Sequence, residues 1–326
     1  MAKIYLIFTG GTISMKVDDV NHSVVPALSA SDIMASVLDS FHECDLETIE
    51  FSKLPSPSIT PDMMLEISKM IRHLTSRHDV TGVVVVHGTD TLEETAFFLD
   101  VVLETKKPVV VTGSMKSSSE LGFDGINNLV SSILVCLSPD ASDKGVLVVL
   151  NDQINAASEV TKTNTLSLDT FKSLDYGPLG IVDNHQVIFY RSVNYVRMPL
   201  PVDHLVEDVF LVKAYSGNDS RVLNLLVDGL NANGIVIEAL GRGNVTPMML
   251  DGIKRALERK IPVVITSRCP SGRVVDTYGY PGGGKDLSMM GCIFATNLNG
   301  QKARLLLMVA LAVDNDLDSI KKIFSV

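Results

Sequence analysis

Basic residues are scarce in this chain. Its 28 Lys and Arg stand against 38 Asp and Glu, a formal net charge of −10. Nucleic-acid binding needs clustered cations to neutralise phosphates, so that class of partner is excluded. Long apolar runs are lacking as well: none approaches the roughly 18–20 residues that span a bilayer. The N-terminus, MAKIYLIFTGG, carries one lysine and a short apolar run, without the longer stretch and small-residue cleavage site of a signal peptide. It reads as the first core strand of a cytoplasmic protein. Cysteines are few. Cys44, Cys136, Cys269 and Cys292 lie far apart without CxxC spacing, so they read as reduced, mostly buried thiols rather than a disulfide framework or metal site. No metal and no cofactor is expected.

What the chain does have is apolar residues, 46% of 326, enough to core one large domain or two ordinary ones. β-Branched runs recur at 4–8, 82–86, 108–113 and 145–150, with helical patterns between them at 60–78, 93–100 and 125–137. Strands alternating with helices predict an α/β fold: a mainly parallel sheet flanked by helices. Thr60-Pro61 is a helix start, a capping hydroxyl followed by proline at the first position. Around 188–207 the period breaks, with two prolines and scattered charges. Alternation then resumes at 208–215, 234–240 and 261–267, with a closing helix at about 300–313. The expected organisation is a large N-terminal domain at 1–187, a linker at 188–207 and a smaller C-terminal α/β domain at 208–326.

Ligands of open α/β sheets bind beyond the carboxyl ends of the strands. Those ends are unusually rich in hydroxyls and carboxylates here: Thr9-Gly10-Gly11-Thr12-Ile13, His87-Gly88-Thr89-Asp90-Thr91, Thr112-Gly113-Ser114-Met115-Lys116 and Asn151-Asp152-Gln153. TGGTI alone is a weak signal. It fits a tight turn and lacks the glycine spacing of nucleotide loops. HGTDT is stronger, although Thr89 and Asp90 would also serve as a cap for the next helix. His87 reads as a packed loop histidine with a structural role.

TGGTI at 9–13 together with HGTDTLEETAFFLD at 87–100 resembles the bacterial-type L-asparaginase family. The likeness continues through KPVVVTGSMKSSSELGFDGINNL at 107–129, GVLVVLNDQINAASEVTKTNTLSLDTFKSLDYGPLG at 145–180 and NLNGQKARLLLMVAL at 297–311. It implies hydrolysis of L-asparagine to L-aspartate and ammonia, with weak glutaminase activity. An amide carbonyl needs a nucleophile, and an alcohol in that role must be activated. By resemblance Thr12 is the nucleophile, forming a β-aspartyl ester, and Thr89, Lys162 and Asp90 form a hydrogen-bonded relay. Asp90 also pairs with the substrate α-ammonium. Ser56, with Gly11 and Gly88, meets the α-carboxylate; Pro57 lies beside it, and Ser114 sits where a backbone carbonyl meets the scissile amide. A surface Pro-Ser turn is the competing explanation for Ser56. The resemblance further implies a homotetramer built from active dimers, with Asn244 or Thr246 reaching the site of a partner chain.

Two departures stand out. The family often carries a tyrosine in the loop after GGTI, yet no tyrosine occurs from residue 6 to residue 175. Val24 falls at its place in a loop where Lys16, Asp18, Asp19, Asn21 and His22 are too polar to pack when empty. The family's high-affinity branch also brings in a glutamate from a neighbouring subunit. VVDTYGYPGGGKDL at 274–287 has none, leaving Asp276, Tyr278 or Tyr280 as substitutes. Two alternatives remain open: a non-catalytic amino-acid-binding or sensor protein on the same fold, and an amidotransferase subunit.

Overall fold

The computed structural model describes residues 1–17, 24–26, 29–38, 41–193 and 198–325, with only the backbone at 16–17 and 24–26. It divides into two units, Met1–Pro201 and Val202–Val326.

The first unit begins with strand β1 (Ala2–Gly10), a short hairpin of β2 (Met15–Val17) and β3 (Val24–Pro26), helix α1 (Ala30–Ala35) and strand β4 (Cys44–Leu54). Then come α2 (Pro61–Ser76), β5 (Gly82–Val86), α3 (Leu92–Val102), β6 (Val109–Thr112), α4 (Gly125–Leu137) and β7 (Val146–Leu150). Five more strands close the unit: β8 (Gln153–Ala156), β9 (Thr161–Lys162), β10 (Phe171–Lys172), β11 (Gly180–Asp183) and β12 (Gln186–Phe189). Eight strands form one sheet in the order β12-β11-β8-β7-β6-β5-β1-β4. From β4 to β7 all neighbours are parallel. The last three strands are antiparallel.

Each feature has a cause in the sequence. Val83–Val86 are fully buried, as expected of a central parallel strand covered on both faces; each side chain contributes about 1.5–3 kcal/mol on burial. Helix α2 starts where Thr60 accepts a hydrogen bond from the Met63 N–H at 3.3 Å, with Pro61 next in line. It buries Met64, Leu65, Ile67, Ile71 and Leu74, the stripe of an amphipathic helix. Helix α3 buries Leu92, Ala96 and Leu99. It also buries Phe97, Phe98, Glu93, Thr95 and Asp100, because it packs on both β7 and α2. Asp100 accepts the Val146 N–H at 2.8 Å and pins the start of β7.

The switch to antiparallel pairing follows from two tight turns. Asn151 and Asp152 have φ of 50° and 57°, and Asn184 and His185 have 48° and 61°. Paired left-handed residues make two-residue hairpin turns that match strand twist, and Asn and Asp tolerate them best. Asn151-Asp152 is therefore a hairpin turn rather than an open strand end. Asp152 is held by the Asn127 and Ser131 side chains at 2.8 and 2.9 Å.

One topological detail places the site. The chain runs from β1 outward to β4, then returns to the other side of β1 as β5. Crevices of open sheets form where the order reverses in this way. Phe8 pairs with Val86, so the TGGTI and HGTDT loops leave the sheet side by side.

The second unit has β13 (Val209–Lys213), α5 (Arg221–Asn224) running into a π-turn at Leu225–Gly229, β14 (Gly234–Ala239), α6 (Leu250–Glu258) and β15 (Val263–Ser267). Then follow α7 (Gly284–Met290), β16 (Ile293–Phe294), α8 (Gly300–Val313) and α9 (Leu317–Ile323). Its four strands are parallel in the order β13-β14-β15-β16. Its core is formed by residues such as Leu223, Ile235, Ile237, Met249, Ile253 and Ile265. The α/β class, with a large first unit and a smaller second, is as the sequence predicts. Residues 188–189, placed in the linker by the sequence pattern, pair in β12 with Ile181 and Gly180.

Candidate active site

Two glycines make the centre of the crevice possible. Gly11 has φ of 84°, and a Cβ built on it would stand 2.4 Å from Gly88 Cα and 2.5 Å from Gly88 N. Both neighbours are backbone and cannot yield, so the two loops approach this closely only with glycine at 11. A Cβ on Gly88 would in turn meet Ser56 Cβ and Oγ at 2.9 Å. The Gly11 N–H donates to Leu54 O at 3.2 Å, bringing in the end of β4. Thr12 and Thr89 each follow directly on a glycine of this contact; Thr12 is half-buried and Thr89 is buried.

Ser56 belongs to this cluster. It is 4% exposed, although it opens the short surface turn Ser56–Ser58 in which Pro57 and Ser58 are exposed. Its Oγ accepts the Asp90 N–H at 3.2 Å, and its carbonyl accepts from Thr91 Oγ1 at 2.8 Å. Pro57 is exposed on the following short turn and has no N–H to offer.

The other side of the crevice is electrostatic. Lys162 Nζ donates to Thr89 Oγ1 at 3.0 Å and to Asp90 Oδ1 at 2.7 Å. An ammonium group has only donors, so the Thr89 oxygen accepts and its own proton points elsewhere. The Lys162 side chain is 16% exposed and that of Asp90 63%. An ion pair with one partner this open adds little stability; its value lies in aligning groups. The idea that Thr89 or Asp90 caps the next helix is corrected here. Thr91 occupies the cap position of α3 and makes no side-chain cap bond, which leaves the Thr89 hydroxyl and Asp90 carboxylate turned to Lys162.

Glu93, which the sequence does not single out, completes the cluster, and His87 supports it as the packed loop histidine the sequence predicts. Glu93, in the first turn of α3, is buried, and its Oε2 accepts the Lys162 N–H at 2.7 Å. His87 is fully buried; its Nδ1 lies 2.8 Å from Gly88 O and its Nε2 2.9 Å from Thr95 Oγ1. A carbonyl only accepts, so the neutral ring carries its proton on Nδ1 and receives the Thr95 hydroxyl at Nε2. The ring thereby fixes the peptide just before Thr89. Burial lowers its pKa from 6.5 to about 4, against the opposing effect of the Gly88 carbonyl.

This burial carries a pH signature. Below pH 6.5 the unfolded chain takes up a proton at His87 that the native state refuses until about pH 4. Stability is therefore lost as pH falls through that window, by about 3 kcal/mol in total. Urea denaturation of wild type and His87→Gln between pH 7 and pH 4 measures this: the wild-type curve is expected to fall more steeply. Parallel curves would show that His87 is not the group responsible.

The remaining expected residues are placed as follows. Ser114 is buried, and its single hydroxyl proton is shared between Asp124 Oδ1, at 2.8 Å, and Lys116 O. Asp124 also takes the N–H groups of Met115 and Lys116, both at 3.0 Å, so it sets the turn that carries Ser114. In the second unit, Asn244 Oδ1 accepts the Gly284 N–H at 3.1 Å, and Thr246 Oγ1 donates to Asn218 O. Asp276 pairs with Lys285 at 3.3 Å, while Tyr278 and Tyr280 are exposed with ring centroids 5.6 Å apart. In the loop after GGTI, the Val24 backbone pairs with Val17. The calls on Asp18, Asp19, Asn21 and His22, and on the side chains of Lys16 and Val24, fall outside the described residues. Among the described residues, no group of three or more His, Cys, Asp or Glu is placed to hold a metal ion, and no helix is long and apolar enough to cross a membrane.

Comparison with known proteins identifies the family. Residues 3–195 match the family described as Asparaginase, N-terminal, and residues 208–324 match the Glutaminase/Asparaginase C-terminal domain. The chain belongs to this asparaginase family. It is 35% identical to an L-asparaginase of Bacillus licheniformis over 316 residues, 95% of each chain. It is 36% identical over 330 residues to a protein of Deinococcus radiodurans named Probable L-asparaginase, covering 100% of this chain and 98% of that one. A crystal structure named Probable Cytoplasmic L-asparaginase, from Campylobacter jejuni, superposes with a TM-score of 0.90 at 30% identity, covering 100% of this chain and 99% of that one.

Proposed function

We propose that the chain hydrolyses the side-chain amide of L-asparagine to L-aspartate and ammonia, with weak activity on glutamine, and without metal or cofactor. The observation that carries this is the meeting of Lys162 Nζ with Thr89 Oγ1 and Asp90 Oδ1, beside the Gly11–Gly88 contact that brings in Thr12.

The steps are those of a covalent hydrolase. Thr12 Oγ attacks the side-chain carbonyl carbon. The new C–O bond forms, the C–N bond breaks, and the nitrogen leaves as ammonia after taking up a proton. Water then cleaves the β-aspartyl ester and restores the Thr12 hydroxyl. Thr89, Lys162 and Asp90 relay protons between these steps; Lys162 holds the Thr89 hydroxyl with its proton free to be given. The exposed part of Asp90 pairs with the substrate ammonium, and Ser56 with backbone N–H groups near Gly11 and Gly88 receives the α-carboxylate, the Gly11 N–H itself being engaged by Leu54 O. A backbone carbonyl at Ser114 meets the amide nitrogen. A sensor protein would need Asp90 but would have no need of a lysine trained on a second threonine.

We further place the protein in the cytoplasm as a homotetramer of active dimers, with Asn244 or Thr246 contributing to a partner chain's site. Support comes from the name of the Campylobacter jejuni structure for the location. For the contact, hydrogen bonds hold the 244–246 loop in a defined shape.

The deciding experiment is ammonia release by purified protein from L-asparagine and L-glutamine, before and after dialysis against a chelator, with the assembly sized by light scattering. Turnover of asparagine that survives the chelator is expected. Binding without ammonia would support the sensor alternative instead, and a chelator-sensitive rate would require a metal.

A further inference from the structure

Lys162 is an awkward residue to place accurately. Its side chain is long and flexible, with about 2 kcal/mol of rotamer entropy to lose. Its strand, β9, is two residues long and, among the described residues, pairs only with the equally short β10. A ribbon of that size is barely stable alone. Yet Nζ must meet two acceptors, Thr89 Oγ1 and Asp90 Oδ1, at once.

The structure supplies a second grip on the same residue. Glu93 is 4% exposed, and its Oε2 accepts the Lys162 backbone N–H at 2.7 Å across 69 residues of sequence. Glu93 stands in the first turn of α3, directly downstream of Thr89 and Asp90. One rigid piece of chain, the HGTDT loop and the start of its helix, therefore holds Lys162 at both ends. The loop takes the ammonium group and Glu93 takes the main chain. Burying a carboxyl group is costly unless it is bonded, and an apolar residue of similar size is often the more stable choice. The bond to the Lys162 N–H gives this buried carboxyl group a partner and sets the register of the lysine.

We propose that Glu93 is a positioning residue for the amide hydrolysis, acting through Lys162 to set the distance between Nζ and the Thr89 hydroxyl. The proposal rests on the reaction assigned above. A shift of about 1 Å at a catalytic group can cost on the order of 100-fold in rate, while substrate contacts through Asp90 and Ser56 would be left in place. The expected result is a loss in kcat with little change in KM.

The test compares Glu93→Leu, Glu93→Gln, Lys162→Met and the double variant Glu93→Leu/Lys162→Met by steady-state ammonia release. Hydrogen exchange is measured at the Lys162 amide. Glu93→Leu is expected to lose about 100-fold in kcat with KM within about threefold. Glu93→Gln retains an acceptor and is expected to recover most of the rate. The double variant is expected to be no slower than Lys162→Met alone, since both changes act through one group. The Lys162 amide is expected to exchange faster in both Glu93 variants. Should Glu93→Leu fail to fold, Glu93→Gln decides through exchange: an amide bond weaker than the carboxyl one gives about tenfold faster exchange, and unchanged exchange overturns the proposal. A normal loss in Lys162→Met beside wild-type kinetics in Glu93→Leu overturns the role of Glu93 alone, as do losses that multiply in the double variant. A wild-type rate in Lys162→Met overturns the assigned reaction itself.

Discussion

Thr12→Val is expected to lower kcat for L-asparagine by about a thousandfold or more, equivalent to some 4 kcal/mol of transition-state stabilisation. Valine matches threonine in shape and removes only the hydroxyl. The half-buried site and the Gly11–Gly88 contact should survive, because neither depends on the Thr12 side chain. KM should change little, since the groups proposed to hold the substrate, Ser56, Asp90 and the glycine backbone, remain. An ordinary lost hydrogen bond costs about 0.5–1.5 kcal/mol. A variant keeping more than a tenth of the wild-type rate would therefore have lost a contact and not a nucleophile. Rates of ammonia release under saturating substrate decide between these.

Lys162→Met and Thr89→Val are expected to lose about 100-fold or more each, and the double variant little beyond the worse single one. The reason is the 3.0 Å contact from Lys162 Nζ to Thr89 Oγ1: each variant breaks the same link. Stability should move far less than rate, because the Lys162–Asp90 pair is open to solvent on the aspartate side. Thermal denaturation run beside the kinetics separates the two effects. Losses that multiply across the double variant would mean that Thr89 and Lys162 act independently, and the relay would have to be abandoned.

Much of this arrangement could be read from the chain itself. The valine run at 83–86 and the polar residues after it mark a strand ending in a site, because a fully buried strand needs apolar residues and a crevice needs polar ones. Thr60-Pro61 announces α2 through its own capping chemistry. The juxtaposition of TGGTI and HGTDT was open to inference only through resemblance. Its physical cause is the placement of β1 between β4 and β5, and strand order is a long-range property that no local pattern encodes.

Glu93 shows where local reading ends. Two glutamates, Glu93 and Glu94, begin α3, and acidic residues in a first turn are expected simply from the helix dipole. Which of them turns inward depends on a two-residue strand that arrives 69 residues later. His87 is similar: a lone histidine at a strand end looks structural, and its grip on the Gly88 carbonyl emerges only when Thr95, one turn into the helix, supplies the second bond. Asn151-Asp152 misled for the opposite reason. Asn and Asp suit both a ligand-binding strand end and a left-handed hairpin turn, and the antiparallel partner β8 decides for the turn.

The central claim is that Thr12 becomes covalently attached to the substrate acyl group. Its most direct test is acid quenching of the enzyme during turnover of L-asparagine, followed by proteolysis and mass spectrometry. An aspartyl adduct on the peptide containing Thr12, absent from Thr12→Val, is the expected result. An adduct on the peptide containing Thr89 instead, with Thr12 unmodified, would contradict it.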